Sequence, residues 1–305
     1  MGQKNWIVLF VFILSVLGYI FNSMTRKEDV IIAFTIDDNY APFVSVTIES
    51  IKEHANPKRN YKVFILGTDI SDLHLKAIYS LKSYNIDIQV IDIKDMISKS
   101  NIPSLKTLAH INTVAYHRFF IPEILQNYRK TVYLEADQIL QEDIANLYDI
   151  DLKGKSLGVA PQMKFSGNSA IDHQKYCKEI LKMKDPNYYF NAGVLVMNLE
   201  KLRKSNFRKQ AISIAKDHNL RYIDQDILNL MFSEDCVYIP EEWNVEVFIL
   251  EEIHKKVEPK LIHFTTWNKP WKTSKPDHPS SLYSDLFWKY ARKVSNYQEI
   301  LKYAK

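Results

Sequence analysis

Val30-Ile31-Ile32-Ala33-Phe34-Thr35-Ile36-Asp37-Asp38-Asn39-Tyr40 is the stretch on which the fold turns. From Val30 to Ile36 only Thr35 is polar, which is the pattern of a strand buried on both faces of a parallel sheet. An acid-acid-amide cluster closes the run. Beyond it Phe43, Val44, Val46, Ile48 and Ile51 recur at helical spacing. Tyr61 to Leu66 reads as a second strand, ended by Gly67, and Ser71 to Tyr84 as a helix with Ser71 at its N-cap. Ile86 to Ile91 is a third strand, with Ile86, Ile88 and Val90 on one face. This alternation predicts an α/β fold built on a doubly wound parallel sheet. Such sheets bind ligands beyond the carboxyl ends of their strands, where Asp37, Asp38 and Asn39 lie. No Gly-x-Gly-x-x-Gly follows the first strand, which argues against a standard dinucleotide cradle.

Upstream lies a different object. Asn5 to Thr25 carries no charge, and Trp6 to Phe21 is apolar but for Ser15 and Gly18. As a helix it would span roughly 30 Å, one hydrocarbon core. Lys4, Arg26 and Lys27 flank it, with Trp6 and Tyr19 near its ends as interfacial anchors. The run exceeds a usual signal-peptide core and no small-x-small pattern closes it, so an uncleaved transmembrane helix is expected over residues 1–27. The 305 residues are 46% hydrophobic and 25% charged, ordinary for a chain that buries a full core. Two cysteines, Cys177 and Cys236, exclude a disulfide scaffold or a Cys-rich zinc site. A net charge of +4 is too small to argue for nucleic acid. Eleven of the 40 Lys and Arg, but only four of the 36 Asp and Glu, fall between Ile253 and Lys305. That asymmetry suggests an anionic surface or ligand near the C-terminus.

Downstream, Thr131 to Leu134 is a fourth strand running into Glu135-Ala136-Asp137. Tyr188 to Asn198 places Asn191 and a small Ala192-Gly193 pair before a buried strand, where a ligand could approach the backbone. Tyr222-Ile223-Asp224-Gln225-Asp226 opens an apolar helix, and Leu261-Ile262-His263-Phe264 is a strand carrying one histidine ahead of Lys269-Pro270-Trp271. Each alone fits a structural role: a solvated turn, a helix start decorated with acids, a core histidine.

In this order, over Val30 to Trp271, these segments resemble glycosyltransferase family 8, the retaining nucleotide-sugar transferases that include bacterial lipopolysaccharide galactosyl- and glucosyltransferases. The resemblance implies a GT-A fold, a Rossmann-like nucleotide-binding sheet fused to an acceptor-binding region. It divides the chain into an anchor (1–27), a catalytic domain (28–272) and a basic, aromatic helical tail (273–305). The implied activity is a metal-dependent hexosyltransferase moving a hexose from a UDP-sugar to a glycan or glycolipid acceptor. By the same likeness Asp37 and Asn39 hold the uracil and ribose, and Arg118, Asn191 and Ala192 contact the donor. Asp224 and Gln225 line the sugar pocket as the catalytic pair, and Lys269 meets the diphosphate. Glu135, Asp137 and His263 match the ligands of Mn²⁺. Carboxylate, imidazole and phosphate together suit that ion better than Ca²⁺. Gln225 is a poor nucleophile, which favours front-face substitution over a covalent intermediate.

Three places depart from the family pattern: Glu135 for the usual Asp, Gln162 where many members have an Asp on the donor sugar, and Thr265-Thr266-Trp267-Asn268 for a Gly-containing loop. They keep open a second class, a non-catalytic nucleotide-sugar-binding or scaffold protein. The chain has no Asn-x-Ser/Thr sequon. With the anchor, this places the catalytic domain at the cytoplasmic face of a bacterial inner membrane, or in the Golgi lumen of a eukaryote. From Ser281 to Tyr303, apolar residues at three- and four-residue steps alternate with Lys and Arg. Such a helix suits membrane lipid headgroups or the catalytic core itself.

Overall fold

A computed structural model describes residues 28–100, 113–163, 167–217, 220–253, 256–267, 269–279 and 281–304. The stretch that opens the sequence reading is strand β1 (Val30–Asp37), followed by helix α1 (Ala41–His54). Then come β2 (Tyr61–Thr68), α2 (Asp72–Tyr79), β3 (Ile86–Asp92) and β4 (Lys130–Leu134). Short β5 (Gln138–Leu140) leads to β6 (Leu157–Pro161) and β7 (Phe190–Asn198). Helix α3 (Ile223–Phe232), β8 (Cys236–Tyr238), β9 (Val245–Glu246) and β10 (Leu261–His263) complete the body. Two further helices close it, α4 (Ser284–Ala291) and α5 (Tyr297–Leu301).

The main sheet has seven strands in the order β3-β2-β1-β4-β7-β6-β8. Strands β1 to β4 are mutually parallel, whereas β7 runs antiparallel to both β4 and β6. The chain therefore winds outward through β2 and β3, then returns to the other side of β1 as β4. That reversal is the topological switch point of an open sheet, and the crevice beyond β1 and β4 is where such folds take ligands. Because β7 is antiparallel to β4, its first residues lie at the same edge as the last residues of β4, with Leu134 opposite Val194. A second sheet, β5-β10-β9, stands beside this edge. Glu135-Ala136-Asp137 is the link between the two sheets.

The tail packs inward. Phe287, Trp288, Tyr290 and Ile300 join the same buried cluster as β1 and α1. Phe43 of α1 stacks on Trp271 with ring centroids 3.8 Å apart and meets Tyr303 edge-on at 5.3 Å. The Trp288 indole donates to Ser274 Oγ at 2.9 Å, and Tyr290 pairs with His54 at 3.0 Å. Lys289 and Lys293 both bind Glu53 of α1. The apolar face expected to suit membrane lipid is covered by the protein's own core, so a lipid partner for this tail is corrected to an intramolecular contact. The single-pass placement drawn from residues 1–27 does not stand on this structure either. Among the described residues no helix is long and apolar enough to cross a membrane, and residues 1–27 lie outside them.

Candidate active site

At the switch point a cleft of about 410 Å³ is lined by Asp37, Asn39, Arg118, Glu135, Asp137 and Lys269, among others. The acid-acid-amide cluster after β1 divides its labour. Asp37 faces the cleft and takes the Tyr40 N–H at 3.1 Å and the Asn39 amide at 3.3 Å. Asp38 turns away to brace α2, accepting the Ser71 N–H at 2.8 Å and pairing with His74 at 2.7 Å. Ser71 stands at the N-cap as expected, but its own side chain makes no capping bond.

Glu135, Asp137 and His263 converge. Nε2 of His263 lies 3.1 Å from Glu135 Oε2 and 3.4 Å from Asp137 Oδ1, and one ligand atom from each residue fits within 4.8 Å. The backbone explains why. Glu135 N–H bonds Gly193 O at 3.2 Å across the β4–β7 pair, and His263 pairs in register with Gln138 next to Asp137. Gly193 is small for this reason: a Cβ there would stand 2.3 Å from His263 Cε1 and 2.9 Å from Glu135 Oε2. The Ala-Gly pair that suggested a ligand's approach instead admits the imidazole.

The donor set fits a divalent cation. Asp137 Oδ1 is buried and accepts no hydrogen bond, as expected of an atom whose partner is an ion. Burial would raise the Asp137 carboxyl, but the Lys269 ammonium and His263 hold it well below the usual carboxylate range. Glu135 behaves alike: His263 and Arg118 outweigh burial and lower it. For His263 burial acts to lower the pKa, yet the Asp137 and Glu135 carboxylates push it up to about 9.

Arg118 is the second centre. It sits on a 3₁₀ turn (Thr113–Phe120) and is almost fully buried over the Tyr133 ring, 4.5 Å from its centroid. Its guanidinium bonds Glu135 Oε1 at 2.8 Å, Asp224 Oδ2 at 3.0 Å and Ala192 O at 2.8 Å. Asp224 and Gln225 reach the same place from the first turn of α3. The side chain of Asn229 splices that helix to β7, exchanging two 2.9 Å bonds with the Phe190 backbone. Gln225 Oε1 accepts the Ala192 N–H at 3.0 Å, while its Nε2 reaches Tyr189 Oη at 3.1 Å and Gln162 Oε1 at 3.3 Å. Burial, opposed by Arg118, lifts the Asp224 carboxyl to about 6.

Two expected residues are already engaged by the protein's own groups. The Lys269 ammonium is bound to Asp137 Oδ2 and the Phe264 carbonyl. The Asn191 amide is engaged by Glu246, Gly193 and Asn244. Thr266 adopts φ 63°, so the loop after His263 keeps a glycine-like turn on a β-branched residue. Sequence reasoning missed Asn244, Glu246 and Tyr189. One signal existed: Glu246 is the sole charge in the apolar run from Val245 to Leu250.

Comparison with known proteins gives the family and the fold. The family model described as Glycosyl transferase family 8 matches residues 31–275. General stress protein A of Bacillus subtilis (strain 168) is 24% identical over 87% of this chain and 94% of its own length. The lipopolysaccharide 1,2-glucosyltransferase of Escherichia coli (strain K12) is 25% identical over 82% of this chain and 75% of its own. The galactosyltransferase LgtC, solved with donor and acceptor sugar analogues, superposes with a TM-score of 0.72 at 23% identity. That match covers 87% of this chain and 96% of LgtC.

Proposed function

The chain belongs to glycosyltransferase family 8, and from that premise we propose that it is a retaining hexosyltransferase using a UDP-sugar, a divalent cation and a glycan or glycolipid acceptor. The observation that carries this reading is the corner formed by Glu135, Asp137 and His263, with its orphaned Asp137 oxygen, opening onto the cleft beyond β1 and β4. A scaffold protein would have no need to gather such charges around a glycine that exists to admit them.

In this reading Asp37 and Asn39 hold the uridine, and the diphosphate lies towards Lys269. Cleavage of the anomeric bond leaves negative charge on the departing phosphate and positive charge on the sugar ring. A divalent cation at Glu135, Asp137 and His263 supplies Lewis-acid stabilisation of that phosphate, and Mn²⁺ suits this mixed oxygen and nitrogen set. Lys269 adds a positive charge at the same end. Asp224, held by Arg118, receives sugar hydroxyls through charge-assisted hydrogen bonds. The Gln225 carbonyl already accepts the Ala192 N–H, which suits a positioning role beside the anomeric carbon better than nucleophilic attack. Substitution then proceeds on one face: the acceptor oxygen bonds the anomeric carbon as the phosphate leaves with the bonding pair and takes the acceptor's proton. A glycan acceptor follows from the Escherichia coli relative, whose name states transfer to lipopolysaccharide.

Mass spectrometry of the full chain against a panel of UDP-sugars, with Mn²⁺ and with chelator, tests the proposal. Donor turnover is expected with Mn²⁺ only. Asp137→Ala should lower it at least about 100-fold, the scale of a lost electrostatic stabiliser. Wild-type turnover by Asp137→Ala in chelator would remove the metal from the mechanism.

A further inference from the structure

Only one nitrogen of His263 can serve the metal corner. Nε2 faces both carboxylates, so the lone pair must sit there and the neutral ring must carry its proton on Nδ1. Nδ1 lies 2.8 Å from Asn244 Oδ1. An amide presents either oxygen or nitrogen, and its neighbours decide which. Asn244 Nδ2 donates to Asn191 Oδ1 at 2.9 Å, and the Gly193 backbone N–H donates to that same oxygen at 2.8 Å. A backbone N–H cannot accept, so Asn191 must turn its oxygen towards Gly193 and Asn244. Its nitrogen then faces Glu246 Oε2 at 3.1 Å, where a carboxylate accepts. Glu246 Oε1 takes the Gln162 amide at 2.6 Å and the Met163 N–H at 3.2 Å. Asn191, Asn244, Glu246 and His263 are all buried, so solvent does not compete for these bonds.

We propose that Asn244 is a positioning residue for the metal site, selecting the His263 tautomer that presents Nε2, with the direction of the relay set by Asn191 and Glu246. The inference rests on the metal reading of the site. Outer partners of this kind orient a ligand ring, and their loss typically costs about 10- to 100-fold in metal affinity.

The test uses the full chain without donor or acceptor. Mn²⁺ affinity is read from the electron spin resonance of the free ion. The bound nitrogen is read from ¹¹³Cd–¹⁵N coupling in protein labelled with ¹⁵N-histidine. The wild type should couple through Nε2 of His263. Asn244→Ala should weaken Mn²⁺ about 10- to 100-fold and lose the single Nε2 coupling. Asn244→Asp keeps an acceptor facing Nδ1 but loses the donor to Asn191 Oδ1, so it should keep the Nε2 coupling with an affinity between those of the alanine variant and the wild type. Wild-type affinity through Nε2 in Asn244→Ala would overturn the inference alone. Failure of the wild type to bind either ion would overturn the metal reading and the inference with it. Should the alanine variant not fold, the aspartate variant decides: retained Nε2 coupling supports the relay, and its loss overturns it.

Discussion

Gly193 makes the narrowest demand of any residue at the site. Its backbone is ordinary β7 strand, so what it supplies is space rather than an unusual conformation. Gly193→Ala must push either the His263 ring or the Glu135 carboxylate aside, because neither β4 nor β10 is free to yield. We expect destabilisation of about 1–3 kcal/mol, the usual cost of overpacking, together with weakened Mn²⁺ binding. Thermal melting and metal titration of the one variant measure both. Unchanged metal affinity would mean the corner is looser than its geometry indicates. At this scale the residues of the proposed metal corner were legible only together, through the order of motifs that resembles the family, since acid-x-acid after a strand or a histidine on a strand fits a structural role when taken alone. The supporting residues were not. Asn244 and Tyr189 are common residues in common settings, and their bonds to His263 and Gln225 span 19 and 36 positions of chain. Only folding brings them together.

Helix α1 shows what the elements add. Its first turn follows Asp37-Asp38-Asn39, and it is buried as far as Ile51, so its position helps fix the Asp37 end of the cleft. Its last turn is pinned from behind by Glu53, which binds both Lys289 and Lys293. Hydrogen bonds from Lys289 and Lys293 lower the Glu53 carboxyl to about 2. A carboxyl depressed by folding stabilises above its unfolded pKa near 4.5, and that contribution fades as pH falls towards 2. Glu53→Gln should therefore cost under about 1 kcal/mol at pH 7, the scale of a surface pair. The gap from wild type should close between about pH 4.5 and 2 in denaturant melts. A gap constant across that window would assign the effect to packing instead. Strands β1, β2 and β4 were readable because each holds a continuous apolar stretch, residues 30–34, 63–66 and 132–134. The antiparallel direction of β7 was not, since such a run reads the same both ways. Nor was the break in the tail: one helix from Ser281 to Tyr303 was expected, and two form, parted around Asn296.

For the whole molecule, part of the positive charge of the last fifty residues is spent on contacts within the protein. Lys269 faces Asp137, Lys289 and Lys293 face Glu53, and Lys302 faces Glu299. Arg292 caps the Pro276 carbonyl. The aromatic residues between them complete a layer that starts at β1 and passes through Phe43 and Trp271, with Phe287 and Trp271 rings 5.2 Å apart. Loss of a single buried Trp or Phe costs about 3–5 kcal/mol. Removing Phe287, Trp288, Tyr290 and Ile300 together costs as much as the whole of the roughly 5–15 kcal/mol that holds a typical domain. Truncation after Pro279 should thus leave a chain with no cooperative thermal transition, although every residue proposed to touch the donor is still present. Trp288→Phe is the graded version, which keeps most of the volume but removes the indole's bond to Ser274 Oγ, and should fold with a lowered midpoint. Circular dichroism melts of both variants beside the full chain are sufficient. A truncated protein melting within a few degrees of the full chain would show that the tail merely rests on α1 and that the catalytic body stands without it.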